Sequence, residues 1–321
     1  MTMITMPSTE RGGLAESAFP YIDAATQDCI TDEQAQFFRD NGLLVIRNVL
    51  RGEELAAMQR ETQMLVDKAV AGTDEPDYAY KTHEITGKRV PFRIEYIIDK
   101  TTAGKALLGN PFILHSVEKL QGPNFIPTWD AMVFKNEGAG VAIPWHRDAG
   151  TVQSREDFAP IFNVDFYLDP ADLTNCLWGI LGTTGWSQEQ ANARIAELND
   201  GGVFQTPPEA VPIPMQPGDV IFHNILALHG SPAAQSKLRR VVYYEFRPAE
   251  IEMAIGPHRP EYLPLKQKLL LKTLEHRQAT SYAQGEIPFT YRPRAPFDGV
   301  TLAPSEELPT YRYVHGDYWR K

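Results

Sequence analysis

The sequence predicts a mainly β fold, a sandwich or jelly roll with flanking helices. From about Lys81 to Pro248 the chain consists of short β-rich runs separated by Gly, Pro and Asn, which is typical of such folds. Helical patterns lie before and after this region. Hydrophobic residues make up 43% of the 321 residues and charged residues 22%, which is enough for a large core and excludes wholesale disorder.

The β region is predicted to be preceded by a helix, a strand and a second helix. Thr31 occupies the N-cap position of the first helix, which ends at Asn41-Gly42. The aliphatic run at residues 43–49 predicts a buried strand. Apolar residues at steps of three and four predict a helix over residues 51–70.

The central region is predicted to contain short strands and one inserted helix. The helix covers residues 187–199 and is expected to lie over one end of the β structure, where loops carry function. A further helix is predicted at residues 265–276, before a Pro-rich and aromatic segment. The predicted strands are residues 90–98, 129–135, 142–145, 162–168, 177–181, 219–223 and 240–247.

Three segments are expected along the chain. They are an N-terminal extension at residues 1–30, one folded domain at 31–248, and a C-terminal helical and Pro-rich extension at 249–321 that packs on the core. The opening Met-Thr-Met-Ile-Thr is similar to the start of β-galactosidase used as a cloning-vector leader, so a vector origin would explain these first residues.

Composition and charge narrow the class of partner. Lys+Arg number 31 against 41 Asp+Glu, and the resulting net charge of −10 disfavours nucleic acid or an anionic membrane. Cys29 and Cys176 are too few for a disulfide framework or a multi-cysteine zinc site, and they indicate a reducing, cytoplasmic location. No run approaches the roughly 18–20 apolar residues of a membrane span. We therefore expect a small-molecule partner, and a homodimer is left open.

The most informative segment is Ile143-Pro-Trp-His146-Arg-Asp148. Residues two apart on a strand project the same way, so His146 and Asp148 could share one metal ion. A strand-borne His-x-Asp supplies two ligands of the 2-His-1-carboxylate set that binds Fe(II) and leaves positions open for reactants. Alone the pattern is weak evidence, because His315-Gly-Asp317 matches it as well.

A second segment could complete this set. Residues 217–231 end in His229-Gly-Ser231, which could supply the third ligand, and a basic residue opens the strand that follows. Arg240 at that place could bind the far carboxylate of 2-oxoglutarate with its planar fork. Arg239 competes for this role, because neighbours on a strand face opposite ways and only one can reach the pocket.

In combination, these motifs resemble the phytanoyl-CoA dioxygenase family of Fe(II)/2-oxoglutarate oxygenases. The likeness covers most of residues 31–248, and its spacing favours Arg240 over Arg239. The motifs that carry it are Asp40-Asn-Gly-Leu-Leu-Val-Ile-Arg-Asn-Val-Leu50, Val133-Phe-Lys135, Pro144-Trp-His-Arg-Asp148, Asn175-Cys-Leu177, Pro217-Gly-Asp-Val220, His229-Gly-Ser231 and Arg240.

The resemblance implies a double-stranded β-helix core, cupin-like, over residues 31–248. It implies a non-haem dioxygenase with Fe(II), 2-oxoglutarate and O₂ as cofactor and co-substrates. His146, Asp148 and His229 would be the iron ligands and catalytic residues, with Arg240 as the co-substrate anchor.

The resemblance also bears on the reaction. Halogenating relatives carry a small residue at the place of Asp148, so hydroxylation, desaturation or further oxidation is favoured over chlorination. The expected substrate is a small molecule of secondary-metabolite biosynthesis, with an acyl-CoA as the alternative. The sequence departs from the family pattern at Leu181-Gly-Thr-Thr184 and lacks the Gly after Asn175, so the substrate-side loop is expected to differ.

Other residues are candidates for the pocket, each with a structural alternative. Lys135 could contact the co-substrate or the substrate, although a structural ion pair would explain it as well. Trp145 and Trp178 could line the pocket, but aromatic residues on strands usually pack in the core. A polar lid over the substrate could be formed by Tyr78, Tyr80, Lys81, His83 and Arg93. The favoured alternative is that these residues form a solvated loop.

Two other functions remain open at this level. A binding or regulatory protein on the same fold would need no turnover, but it would also not need all four matched positions. A zinc hydrolase could use the same two histidines and one carboxylate, yet it leaves Arg240 unexplained. His223, at the end of an apolar run, could hydrogen-bond to a ligand or simply pack.

Overall fold

The computed structural model describes residues 18–83, 86–148, 160–234, 237–303, 306 and 308. The vector-like start and the second His-x-Asp at residues 315–317 lie outside the described residues. Within those ranges the chain forms two antiparallel sheets, and helices pack on the larger one. The predicted mainly β class with flanking helices is therefore confirmed.

The described part of the chain contains two sheets built from strands that are mostly distant in sequence. These strands are β1 (Leu43–Ile46), β2 (Tyr78–Thr82), β3 (Arg89–Glu95), β4 (Phe125–Lys135), β5 (Ile143–His146), β6 (Phe162–Tyr167), β7 (Leu177–Ile180), β8 (Val211–Ile213), β9 (Val220–Asn224), β10 (Leu228–Ser231) and β11 (Arg239–Pro248). The larger sheet has the order β1-β9-β6-β11-β4-β3-β2, and the smaller has the order β5-β10-β7-β8. Such long-range pairing is typical of a jelly roll.

The helices begin and end where local signals place them. Thr31 and Gln34 form a capping box at the start of the first helix, and Gly42 ends it in the left-handed region at φ 78°. Ser187 and Gln190 repeat the capping box at the inserted helix. In the described residues the helices are α1 (Asp32–Asn41), α2 (Gly52–Ala71), α3 (Ile97–Lys100), α4 (Thr102–Leu107), α5 (Pro111–Gln121), α6 (Gln188–Leu198), α7 (Ala249–Ile255) and α8 (Tyr262–Gln278).

Some strand predictions need correction. The strand predicted at 90–98 ends at Glu95, because Tyr96 takes φ 59° and the N–H of Ile98 donates to Oδ2 of Asp130 at 2.8 Å, which starts α3. The strand predicted at 43–49 is shorter. The short strands β2, β8 and β10 were not predicted, since three to five residues give little periodicity.

Alternation along β11 divides the larger sheet into two faces. Val242, Tyr244 and Phe246 belong to the hydrophobic core beneath the helices. Val241 and Tyr243 belong to a second cluster that lies between the two sheets. A one-residue slip would move every side chain to the other face, and each large apolar side chain would lose about 1.5–3 kcal/mol of burial. The side to which each residue of β11 points is therefore strongly determined.

The chain after β11 returns to the core through its helices. The hydroxyl of Tyr262 on α8 donates to the carbonyl of Thr128 on β4 at 2.6 Å. Arg277 near the end of α8 forms an ion pair with Glu54 on α2 at 2.7 Å. No helix in the described ranges is both long and apolar enough to cross a membrane.

Candidate active site

Two strands of the smaller sheet bring the predicted iron ligands together. His146 is the last residue of β5, and His229 lies directly opposite it on β10. Asp148 follows β5 by two residues, and its N–H donates to the carbonyl of Ile225 at 2.9 Å, shortly before β10. Strand pairing therefore explains how residues far apart in sequence meet.

These three side chains form the one group among the described His, Cys, Asp and Glu residues that could hold a metal ion. One ligand atom from each lies within 4.8 Å of the others. Nε2 of His146 is 3.3 Å from Oδ1 of Asp148, and Nε2 of His229 is 3.9 Å from Oδ2. Two imidazoles and one carboxylate are the donor set of a facial Fe(II) site, so the residues fit the expected metal.

Both histidines present the correct ring nitrogen to a metal. Nδ1 of His146 lies 2.8 Å from the carbonyl oxygen of Pro144, and Nδ1 of His229 lies 3.0 Å from that of Ala227. A carbonyl oxygen only accepts, so Nδ1 carries the proton in each ring. Nε2 is then left with a free lone pair, which is the form that binds a metal ion.

The pKa values of His229 and Asp148 favour protonation states that suit a metal. Burial lowers the pKa of His229 to about 3, and the nearby charge of His146 acts in the same direction. Burial alone would raise the pKa of Asp148, but His229, His146 and His223 outweigh it and hold that pKa well below its usual range. At neutral pH the site therefore contains an ionised carboxylate and a neutral distal imidazole.

A set of polar residues on the larger sheet fixes the carboxylate of Asp148. Its Oδ2 accepts hydrogen bonds from Nε2 of His223 at 2.7 Å and from Nδ2 of Asn163 at 3.0 Å. Nδ1 of His223 donates to Asp165 at 2.6 Å. Burial would lower the pKa of His223, but the two carboxylates raise it to about 10, so the ring is a doubly donating cation. Of the two roles considered for His223 from the sequence, hydrogen bonding is the one that the structure shows.

The triad opens into a cavity of about 430 Å³ whose walls come from both sheets. Its positive charges are those of Lys81, Arg93 and Arg239, while Asn163, Ser231 and Tyr243 add further polar atoms. Most of the remaining wall is apolar and consists of Phe92, Trp129, Ala131, Val133, Ile143 and Leu177.

Arg239 lines this cavity and Arg240 does not, so the expected place of Arg240 is wrong. Arg240 points to the helices, where Nε and Nη2 bind the two carboxylate oxygens of Asp169 at 2.8 and 2.7 Å. Its Nη1 donates to the carbonyl of Gln59 on α2 at 2.7 Å. The physical reason is the alternation of β11, which sends the two arginines to opposite faces of the sheet.

Arg239 is a buried part of the cavity wall. Its side chain is buried, with the residue 2% exposed, and its Nη1 donates to the carbonyl of Asn175 at 2.7 Å. The guanidinium carbon lies 5.9 Å from the centre of the Tyr167 ring. Within the described residues no carboxylate forms an ion pair with this guanidinium.

The profile of the phytanoyl-CoA dioxygenase (PhyH) family matches residues 38–242, which is more than half of the chain. The chain belongs to the phytanoyl-CoA dioxygenase family. This dioxygenase is accordingly of the non-haem Fe(II)/2-oxoglutarate-dependent class, and the matched segment contains His146, Asp148, His229 and both neighbouring arginines of β11.

Individual relatives of this dioxygenase agree with the family assignment. It is similar to a 2-aminoethylphosphonate dioxygenase from Uncultured bacterium HF130_AEPn_1, with 24% identity over 261 residues that cover 80% of this chain and 95% of the relative. EctD from S. alaskensis, solved with 2-oxoglutarate and 5-hydroxyectoine, has a TM-score of 0.55 and 17% identity over 69% of this chain and 77% of its own. EvdMO1 has a TM-score of 0.54 and 25% identity over 67% of this chain, which spans about half (49%) of the EvdMO1 chain. The cupin-like double-stranded β-helix expected from the sequence is thereby confirmed.

Lys135 of this dioxygenase holds backbone in place and does not line the cavity. Its Nζ donates to the carbonyl of Val141 at 2.7 Å and to that of Pro232 at 2.6 Å. These bonds join the segment before β5 to the segment after β10. The predicted contact of Lys135 with the co-substrate is therefore not what the structure shows.

Four of the five predicted substrate residues also lie outside the cavity. Tyr78 packs in the core beneath the helices, and the hydroxyl of Tyr80 donates to the carbonyl of Ala69 on α2 at 3.0 Å. Trp145 and Trp178 pack in the cluster between the sheets. The packing role, which was the alternative for these tryptophans, is the one observed.

Arg93, the fifth predicted substrate residue, does line the cavity together with Lys81 from the same β2–β3 hairpin. Nε of Arg93 lies 2.8 Å from Oε1 of Glu95, and its guanidinium carbon lies 4.1 Å from the centre of the Trp129 ring. Nζ of Lys81 lies 4.6 Å from the centre of the Phe92 ring. Each cation therefore rests on an aromatic face of the cavity wall.

Several residues of the site were missed from the sequence. Asn163 and Asp165 alternate along the otherwise apolar and buried strand β6, and polar residues at that spacing were a usable signal. Trp129 and Tyr243 gave no signal, because an aromatic residue in a strand predicts packing first.

Proposed function

We propose that this dioxygenase oxidises a small molecule, with His146, Asp148 and His229 holding Fe(II) and Arg239 holding the far carboxylate of 2-oxoglutarate. One observation carries the proposal, namely that a single cavity contains two ligand-ready imidazoles, an ionised carboxylate and a buried guanidinium. A buried charge is unfavourable unless it is paired, and a keto acid that reaches from the metal position to Arg239 would pair it.

The bound iron would supply activation of O₂ coupled to the decarboxylation of 2-oxoglutarate to succinate and CO₂. One oxygen atom enters succinate, and the other enters a C–H bond of the substrate or leaves as water when two hydrogens are removed. The keto acid and the substrate each lose two electrons, which together account for the four electrons that O₂ gains.

The residues of the chain position these partners. His223 and Asn163 hold the carboxylate of Asp148 in one orientation, which lowers the reorganisation needed when a metal binds. Apolar walls limit the entry of water around the reacting C–H bond. Asp148 would supply a carboxylate as the third ligand, so hydroxylation, desaturation or further oxidation is favoured over chlorination.

The size of the cavity favours a small substrate. Ligand pockets commonly range over about 300–1,000 Å³, and the cavity of about 430 Å³ must also hold 2-oxoglutarate. An acyl-CoA would have to leave most of its nucleotide portion outside. The similar protein named for 2-aminoethylphosphonate makes small phosphonates the first compounds to test. Secondary-metabolite biosynthesis is the proposed setting, and the two unpaired cysteines support a reducing cytoplasmic location.

The proposal is tested by succinate formation without added substrate. Protein loaded anaerobically with Fe(II) should form succinate slowly when O₂ and 2-oxoglutarate are supplied. His229→Ala should abolish the reaction, whereas His276→Gln, a change in α8 outside the cavity, should not affect it. Iron binding without any succinate would favour a non-catalytic binding protein. Hydrolysis of a candidate substrate that does not require 2-oxoglutarate would favour a zinc hydrolase.

A further inference from the structure

The β2–β3 hairpin brings positive charge into the cavity on the side of β4 opposite to Arg239. Arg93 pairs across the sheet with Val133, and its guanidinium packs on Trp129. Arg239 pairs with Lys135 on the same strand β4. Strands β3 and β11 lie on opposite sides of β4, and Trp129, on which the Arg93 guanidinium packs, is four positions along β4 from Val133. The cavity wall therefore has one arginine on each side of β4, and Arg239 alone is assigned to the co-substrate.

The guanidinium of Arg93 is held in place by its surroundings. The Trp129 ring covers one of its faces, and Oε1 of Glu95 lies 2.8 Å from Nε in an ion pair. The side chain is 29% exposed, and its two terminal nitrogens make no hydrogen bond to any residue that the structure describes. The terminal N–H groups thus form a fixed fork at the cavity wall, which suits a carboxylate or a phosphonate.

The charge around this fork favours an anion. Arg93 and Lys81 both line the cavity from this hairpin, whereas Glu95, the ion-pair partner of Arg93, does not line it. Among the described cavity residues the one acidic side chain is that of Asp148, which belongs to the proposed metal site. A cationic head group would find no partner here, whereas an oxyanion would.

We propose that Arg93, assisted by Lys81, binds an anionic head group of the substrate, so that the substrate is a small organic oxyanion. The apolar walls next to the fork, which include Phe92, Trp129 and Val133, suit a hydrocarbon body between this head group and the metal position. This inference rests on the proposed function and deepens it by naming the chemical class of the substrate.

Binding of three matched probes to the holoenzyme tests the inference. Phenylacetate and phenylphosphonate carry a carboxylate and a phosphonate on the same apolar body, and phenylacetamide is their neutral counterpart. Calorimetry on anaerobic protein with Fe(II) and 2-oxoglutarate gives the affinity for each probe, and 2-oxoglutarate is titrated separately. The variants are Arg93→Gln, Arg93→Lys and the matched control Arg89→Gln. Arg89 lies on the same hairpin, but its guanidinium packs on the Tyr80 ring at 3.7 Å and does not line the cavity.

We expect the wild type to prefer an anionic probe to the amide. Arg93→Gln should weaken that probe at least tenfold and leave the affinities for phenylacetamide and 2-oxoglutarate within twofold. Arg93→Lys keeps the charge but loses the fork, so its affinity for the anionic probe should lie between those of the wild type and Arg93→Gln. Arg89→Gln should bind all probes as the wild type does. The preferred head group is that of the probe, phenylacetate or phenylphosphonate, whose binding is weakened more by Arg93→Gln.

Two results would overturn the inference. One is a wild-type protein that binds neither anion better than the amide. The other is a parallel loss of 2-oxoglutarate affinity in Arg93→Gln, which would make Arg93 a second contact of the co-substrate. Failure of the proposed function is seen separately, because the wild type would then neither bind 2-oxoglutarate nor form succinate.

Discussion

Arg239 and Arg240 are neighbours that should respond in opposite ways to the same substitution. In Arg240→Met, Asp169 loses two hydrogen bonds and stays mostly buried with its charge unpaired. Removing one partner of a buried ion pair costs about 3–5 kcal/mol. For a chain of this size, the melting temperature should fall by on the order of 10 °C.

Arg239→Met should instead leave the melting temperature unchanged or raise it. It removes a buried charge that makes no ion pair within the described residues. The variant does lose the proposed anchor for the far carboxylate of 2-oxoglutarate. A charge-assisted hydrogen bond contributes about 1.5–3 kcal/mol, so the affinity for 2-oxoglutarate should fall by roughly 10- to 100-fold.

Both changes are measured on the same two preparations. Thermal unfolding of the iron-free proteins gives the stability, and the dependence of succinate formation on 2-oxoglutarate gives KM at saturating Fe(II). The assignment is refuted if Arg240→Met raises KM at unchanged melting temperature while Arg239→Met leaves KM as in the wild type.

Three further predictions concern the metal site and the core. Fe(II) at about 100 times its Kd should raise the free energy of unfolding by about 2.7 kcal/mol in the wild type and not in His229→Ala, as seen in denaturant titrations. His223→Gln should lower the affinity for iron roughly 10- to 100-fold in a metal titration, and an unchanged affinity would contradict its positioning role. Burial raises the pKa of Asp130 from 3.8 to about 7, so the folded chain binds a proton that the unfolded chain has released, and stability should fall by up to about 4 kcal/mol as pH rises through this window. Asp130→Asn keeps an acceptor for the N–H of Ile98. In urea unfolding at pH 4–8, this variant should show a smaller change of the unfolding free energy with pH than the wild type. An equal change in both proteins would mean that other groups cause it.

The sequence was sufficient for the three proposed metal ligands because their placement depends on local rules. His146 and Asp148 lie two positions apart at a strand end, where side chains project to the same side. His229 follows a Pro-Gly turn and a short apolar run, and strand pairing then places it opposite His146. Motif spacing and strand geometry agree at these three residues.

The choice between Arg239 and Arg240 could not be made in the same way. Spacing from His229 selects Arg240, but the side that each arginine faces is set by the pairing of β11 with β4 and β6. That pairing depends on which apolar side chains bury under the helices, which is a property of the assembled core. Sequence could therefore supply the pair of candidates and not the choice between them.

The substrate wall was the least predictable part of the site. Aromatic residues on strands pack on either face, so Tyr78, Trp145 and Trp178 could not be separated from Trp129 by residue type. The β2–β3 pairing also shifts register between Ala79 and Tyr80. Such a bulge changes which side chains face the cavity, and its position is not visible in the composition of the strand.

The alternation of β11 sets which changes this scaffold can tolerate during evolution. Arg239 and Arg240 are adjacent on this strand. Arg239 faces the cavity, and Arg240 faces the helices and binds Asp169. Point substitutions can alter either arginine independently. A deletion or insertion of one residue at the start of β11 would interchange their surroundings and damage folding and ligand capture together. Length variation among descendants of this chain should therefore concentrate in the connection between β10 and β11, while the strand itself keeps its length.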